Sequence, residues 1–134
     1  MKIEIDDNKT VGQISHAFQK QWPNLKIDFF QHTHATDEAS PKKELLDENL
    51  YLGSVRNLHN PGTILIKATD PIKDVEKRFE DNYGLHVKIF HKMGDNWIES
   101  TTTANRTIAE QNSISDEFNE PVDTEIEPYE PDVQ

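Results

Sequence analysis

Hydrophobic positions follow the same order in two parts of the chain. The first part begins with strand-like alternation and continues with an apolar stripe at helical spacing: Ile3, Ile5, Val11, Ile14, Phe18 and Trp22. Equivalent residues return 61 positions later, at Ile64, Ile66, Ile72, Val75, Phe79 and Tyr83. When one residue near Pro23 is left out, the offset becomes 60, and a second alternating strand matches: Leu25, Ile27 and Phe29 with Leu85, Val87 and Ile89. Each repeat therefore predicts a strand, a helix and a returning strand.

Capping residues mark where both helices begin. Thr10 is followed three positions later by Gln13, which is the spacing of a capping box. In the second repeat, Asp70 is an N-cap residue followed by Pro71, and proline favours the first helical position. These signals place the apolar stripes on helices that face the strands.

Two duplicated βαβ units of this length predict an α+β fold with a ferredoxin-like, four-stranded sheet and both helices on one face. The repeats span about 2–31 and 63–92, and an inserted helical loop occupies 32–62. A glycine turn then precedes an extra C-terminal hairpin strand, and Thr107 with Glu110 forms another capping box, so that 97–113 holds a strand and a short helix. We expect one domain over 1–114 and an acidic tail over 115–134.

The composition narrows the class of protein. A chain of 134 residues suits one domain with a modest core. It has no cysteine, which excludes disulfides, thiolate nucleophiles and cysteine-bound zinc. The sequence shows neither an apolar signal core nor a run long enough to cross a membrane, so we expect a cytoplasmic protein that does not bind membranes.

Most of the net negative charge comes from the last twenty residues. The chain carries a formal charge of −11, from 25 acidic and 14 basic residues. Eight of the acids fall within 115–134, so the body holds 17 acids against 14 bases and gives no basic face for general nucleic-acid binding. In the tail, acids alternate with Phe118, Ile126 and Tyr129, and prolines exclude a regular helix. Such a segment is typical of a solubilising tail or of a peptide that docks on a basic groove.

Two histidines in the insertion are weak candidates for a metal site. His32 and His34 lie close to Asp37 and Glu38, and these residue types bind zinc, copper or nickel. A structural site needs four converging ligands, whereas this segment reads as a solvated polar loop. We therefore predict no metal and no cofactor.

A second candidate site lies at the predicted hairpin. His91 and Glu99 fall on neighbouring strands, where a carboxylate can orient an imidazole for acid–base chemistry, and Trp97 lies between them in sequence. No nucleophile motif or glycine-rich phosphate loop accompanies them. The spacing allows a small enzyme or ligand-binding site and does not require one.

The returning strands also predict an aromatic surface. Phe30 and Phe90 occupy equivalent positions and project from the sheet face away from the helices. RNA-recognition domains stack bases on such aromatics, but they surround them with basic residues. The alternatives are a protein-binding surface, or coverage of this face by the insertion or the last helix.

The segment 84–112 contains the most distinctive motif. It combines His91 and Lys92 with Gly94, Trp97-x-Glu99-Ser100-Thr101, and Thr107-x-x-x-Gln111-Asn112. In this pattern the chain resembles a group of small acidic bacterial proteins that are uncharacterised. The resemblance implies a self-contained domain and carries no activity.

These observations favour a non-enzymatic protein-interaction or regulatory module with an acidic-aromatic tail. Its partner-binding candidates are Phe30, Phe90, Trp97, Phe118, Ile126 and Tyr129. We expect a protein partner, possibly a basic one, with direct nucleic-acid binding disfavoured and the oligomeric state open. The alternatives are an enzyme or ligand-binding domain that uses His91, Trp97 and Glu99, and an inhibitor that mimics nucleic acid.

Overall fold

The computed structural model describes residues 1–32, 42–101 and 103–119, which form a mixed α+β fold. The strands are β1 (Lys2–Ile5), β2 (Leu25–Phe30), β3 (Gly62–Leu65), β4 (His86–Met93) and β5 (Asn96–Glu99). The helices are α1 (Val11–Gln21), α2 (Leu52–Val55), α3 (Ile72–Tyr83) and α4 (Ile108–Asn119), with a 3-10 turn at Lys42–Glu44. The insertion thus contains short helical segments, as expected.

The strands of the described residues belong to two antiparallel sheets. One sheet pairs β1 with β3, and the other has the order β2-β4-β5. In the first sheet Ile3 faces Ile64, and in the second Asp28 faces Lys88. The ferredoxin-like, four-stranded sheet is therefore not confirmed. Alternation predicts which side of a strand is buried, but it does not specify which strand pairs with which.

The core lies between the two sheets and the long helices. Both copies of the apolar pattern contribute to one cluster, including Phe18, Phe29 and Phe79, each at most 1% exposed. The rings of Phe29 and Phe79 meet edge to face, with their centroids 6.2 Å apart. Because β2 comes from the first repeat and α3 from the second, this contact joins the two halves of the chain.

The predicted helix starts are partly confirmed. Thr10 and Gln13 form the expected capping box, and so do Thr107 and Glu110. Asp70 does not cap α3, because Pro71 holds the N-cap position and the Asp70 carboxylate accepts from the Lys67 backbone N–H. Helix α4 continues to Asn119, beyond the end near residue 113 that the sequence suggested, so 115–119 of the expected tail are helical.

Helices α1 and α3 are each bound at the start by a later segment of their own half, which follows β2 for α1 and β5 for α3. The N–H groups in the first turn of a helix have no partner within the helix. Here they donate to backbone carbonyls at distances of 2.8 to 2.9 Å: Val11 to Leu50, Gly12 to Glu48, Ile72 to Arg106 and Lys73 to Ala104. The same contact is therefore made in both halves.

Residues at the end of α3 and just after α1 are each contacted by the opposite half. Arg56, which follows α2, donates from Nη1 to the Tyr83 carbonyl at the end of α3, over 3.0 Å. Conversely, Asn112 of α4 accepts from the Asn24 N–H just after α1, over 3.2 Å. Arg56 also donates from Nε to Asp7, over 3.0 Å. These reciprocal contacts fasten the halves to each other.

Removing the Arg56 side chain tests this fastening. Arg56→Ala leaves the carbonyl at the end of α3 without this donor. It also removes one of the two partners that the described residues give the Asp7 carboxylate, which keeps His59. We expect it to lower the free energy of unfolding by roughly 2–4 kcal/mol. Lys77→Ala is the matched control, because its ion pair with Asp81 is exposed and contributes less than about 1 kcal/mol. Urea denaturation measures both, and equal losses would contradict a special role for Arg56.

Candidate interaction surface

The side chains of β2, β4 and β5 divide between two faces. Leu25, Ile27 and Phe29 point into the core. Residues that pair across antiparallel strands share a face, so the register places the remaining positions on the opposite side. We call this side the outer face, and it carries Lys26, Asp28, Phe30, His86, Lys88, Phe90, Lys92, Trp97 and Glu99.

A lysine between two aromatic rings forms the centre of the outer face. The Lys26 ammonium lies 5.2 Å from the centroid of the Phe90 ring and 5.3 Å from that of the Trp97 ring. Both distances suit cation–π attraction. We call Lys26, Phe90 and Trp97 the lysine–aromatic cluster; Lys92 pairs with Trp97 at its edge. The cluster offers a positive charge and two partly exposed rings on strands held by the ladder.

The two equivalent phenylalanines of the outer face differ in burial. Phe30 is 4% exposed, whereas Phe90 is only partly buried. The segment after the 3-10 turn pairs with the edge of β2, where Leu46 N–H donates to Phe29 and Leu45 bridges Phe30. The symmetrical pair of exposed aromatics that the sequence suggested is therefore not present, and Phe90 with Trp97 takes its place.

A buried carboxylate lies at the edge of the same sheet. Where β5 ends, Glu76 of α3 accepts the Ile89 N–H at 2.9 Å. Burial raises the pKa of Glu76 to about 7, although this hydrogen bond and the charge of Lys88 oppose the shift, while Glu99 adds repulsion. The sequence analysis did not select Glu76, even though it falls within the apolar stripe of α3 and could have been found there.

The His91 and Glu99 pair proposed from the sequence is not formed. His91 pairs with Ile98 and Glu99 pairs with Phe90, so their side chains lie on opposite faces of the sheet. His91 is 8% exposed, and its Nδ1 lies 2.7 Å from the Ser100 hydroxyl oxygen. Burial, aided by the positive charge of Arg106, lowers the pKa of His91.

A cavity near β3 does not involve the proposed hairpin site. It has a volume of about 230 Å³, and its lining includes Lys67, Asp70 and Arg78. Neither His91 nor Trp97 lines it. The Arg78 guanidinium binds Asp70 at 2.9 Å, so these two charges already neutralise each other. The cavity therefore provides no support for acid–base chemistry at the hairpin.

Among the described residues, the histidines of the insertion do not take part in a metal site. The Nδ1 atom of His32 lies 3.0 Å from the Oε1 atom of Glu44. His34, Asp37 and Glu38 lie outside the described residues. Within 1–32, 42–101 and 103–119, no group of three or more metal-binding side chains converges.

The remaining partner-binding candidates lie at or beyond the end of α4. Phe118 is 60% exposed, while Ile126 and Tyr129 lie outside the described residues. Asn119, the last residue of α4, accepts from the Gly94 N–H at 2.6 Å and donates to the Lys92 carbonyl at 2.9 Å. The helix thus ends at the β4–β5 turn, next to the edge of the lysine–aromatic cluster.

Comparisons with protein-family models, curated proteins and solved structures found no match to the chain. The resemblance to small acidic bacterial proteins accordingly stays a prediction. None of the helices in the described part of the chain has the length and apolar character that a membrane crossing needs.

The two phenylalanines provide a test of the outer face. Because Phe30 is buried, we expect Phe30→Ala to lower the free energy of unfolding by about 3 kcal/mol, and Phe90→Ala by about 1 kcal/mol. Urea denaturation compares the two variants. A loss of several kcal/mol in both would identify Phe90 as a core residue and remove it from the surface.

The raised pKa of Glu76 predicts a pH-dependent stability. The folded protein holds this proton more tightly than the unfolded chain, so the contribution of Glu76 to stability declines as pH rises from 4.5 through about 7, while the lowered pKa of His91 acts in the opposite direction. The loss amounts to at most about 3 kcal/mol. We expect Glu76→Gln to remove this decline, because an amide does not titrate in this pH range. Its oxygen still accepts the Ile89 N–H, so the fold is kept. Thermal unfolding from pH 4.5 to 8 measures the pH dependence of stability. Glu117→Gln, a change at an exposed residue, is the control. If stability changes with pH in Glu76→Gln as it does in the native chain, Glu76 is not the source of the decline.

Proposed function

We propose that this chain is a non-enzymatic protein-interaction module that binds an acidic, aromatic peptide segment on the outer face of its β2–β4–β5 sheet. The observation that carries the proposal is the lysine–aromatic cluster. Its Lys26 ammonium lies 5.2 and 5.3 Å from two ring centroids and retains partial exposure. Aromatic side chains such as those of Phe90 and Trp97 are enriched at protein interfaces, and cation–π attraction holds the Lys26 ammonium between them.

The chemistry of the cluster specifies the ligand. Lys26 and Lys92 attract carboxylates, and the rings of Phe90 and Trp97 offer apolar area to an aromatic or aliphatic side chain. Asp28 lies 3.4 Å from the Lys26 ammonium and competes with an incoming carboxylate. A peptide that joins one or two acids to an aromatic residue therefore fits better than a purely acidic one.

The same charges disfavour a nucleic-acid ligand. Asp28 and Glu99 share the outer face with the lysines, so the face carries both signs of charge. Nucleic-acid surfaces depend on several uncompensated lysines or arginines along a phosphate backbone. A short peptide needs only the local pairing that the cluster provides.

We also infer that the two halves are copies of one unit, which supports the role of a rigid scaffold. The offset of 61 relates Ile3 to Ile64, and the offset of 60 relates Asp28 to Lys88; both pairs face each other across the strands. Equivalent positions therefore meet near the centre of the β1–β3 ladder and of the β2–β4 ladder, as two-fold symmetry requires. As predicted from the sequence, we expect the module to act in the cytoplasm.

Peptide selection tests the proposed function. The full chain is immobilised and exposed to a random peptide library at low salt. A second protein, the tail-neutral variant, is tested in the same way. In this variant the acids of 120–134 become amides: Glu120→Gln, Asp123→Asn, Glu125→Gln, Glu127→Gln, Glu130→Gln and Asp132→Asn. We expect enriched peptides to combine carboxylates with an aromatic residue and to weaken as salt rises.

Surface variants then locate the binding site. We expect Lys26→Glu and Trp97→Ala to weaken the selected peptides by about tenfold or more, as measured by calorimetry. Lys77→Glu makes the same charge change on the exposed side of α3 and should bind normally. Selection without an acidic-aromatic motif, or equal binding by all variants, would overturn the proposal.

A further inference from the structure

The chain leaves its last described helix beside the proposed binding surface. Asn119 accepts from Gly94 N–H and donates to the Lys92 carbonyl, which fixes the end of α4 at the β4–β5 turn. Lys92 pairs with Trp97 across that turn. Asn119, the last described residue, is therefore held at the turn that adjoins the edge of the lysine–aromatic cluster.

The composition of this segment matches the ligand that the cluster selects. Residues 120–134 contain six acids, no lysine and no arginine. Ile126 and Tyr129 stand among these acids, so carboxylates and apolar side chains alternate. Lys26 and Lys92 offer the opposite charge, and Phe90 and Trp97 offer the rings.

The length of the segment is sufficient to cover the surface. An extended chain spans at most about 3.6 Å per residue, which gives roughly 50 Å for 120–134. The partly exposed part of β4 on the outer face, from Lys92 to Phe90, covers two residues, or about 7 Å. Tethering also raises the local concentration of the segment to about millimolar, so that weak contacts suffice for binding.

We infer that residues 120–134 bind the lysine–aromatic cluster of their own chain, so that a partner peptide must displace them. This inference rests on the proposed function and adds its regulation. The segment acts as an internal competitor: it lowers the apparent affinity for weak acidic peptides and leaves the surface to ligands that bind it more tightly. It also shields Phe90 and Trp97 from non-specific contacts.

The test compares the full chain with its tail-neutral variant by NMR. We expect neutralisation to shift the indole N–H signal of Trp97 and the backbone amides of Lys26 and Phe90, while the indole of Trp22, which is 8% exposed in the core, stays in place. Heteronuclear relaxation should show 122–133 more ordered in the native chain than in the variant. High salt should reproduce the effect of neutralisation.

Charge variants of the body provide the reciprocal test. The pair Lys26→Glu and Lys92→Glu should release the segment in the otherwise native chain, as read from the relaxation of 122–133. The matched control, Lys73→Glu with Lys77→Glu, changes the same charge on the exposed side of α3 and should leave the segment bound. The tail-neutral variant should bind selected peptides about tenfold more tightly than the native chain.

The outcomes separate this inference from the proposed function. Identical spectra at the cluster, or unchanged relaxation of 122–133, would overturn binding by the chain's own segment. Shifts that grow with protein concentration would also overturn it, because they would identify the segment of a second copy. If selected peptides still require Lys26 and Trp97 in either case, the proposed function stands alone; if they do not, both proposals fall.

Discussion

The structure depends on antiparallel pairing between the two halves of the chain. Strand β1 pairs with β3, and β2 pairs with β4, so each sheet joins a strand of the first half to a strand of the second. Neither half can complete its ladder or bury its apolar face alone. The polar contacts follow the same rule, because Arg56 holds the end of α3 and Asn112 holds the end of α1. The described strands therefore cannot be divided into one sheet for each half of the chain.

This interlocking positions the candidate surface. The inner side chains of β2 and β4 pack in the core. The backbone of both strands is therefore fixed, and the outer positions have little freedom to move. The lysine–aromatic cluster combines Lys26 of β2, Phe90 of β4 and Trp97 of β5, and the ladder fixes their spacing. Asn119 adds a second constraint by binding the β4–β5 turn. A surface held in this way loses little conformational entropy when a peptide binds.

Burial and polarity conflict at a few positions in this fold. Glu76 lies in the apolar stripe of α3, and burial raises its pKa to about 7 even though it accepts the Ile89 N–H at the open edge of β4. His91 is buried on the inner side of the same strand, and its pKa falls. Such groups lower stability under conditions in which the buried charged form is required. Both belong to the architecture of the sheet rather than to a shared reactive site, because Glu99 lies on the face opposite His91.

The sequence by itself determined the local elements: the strand–helix–strand order in both halves, the capping boxes at Thr10 and Thr107, and the inward faces of β1 to β4. These follow from residue spacing and from side chains that bind the nearby backbone. Tertiary structure alone decided which strands pair, that Phe30 is buried while Phe90 is partly exposed, and that Lys26 lies between two rings. The physical reason is that periodicity encodes the side of an element that avoids water. Partners distant in the chain are selected by packing and register, which no local pattern contains.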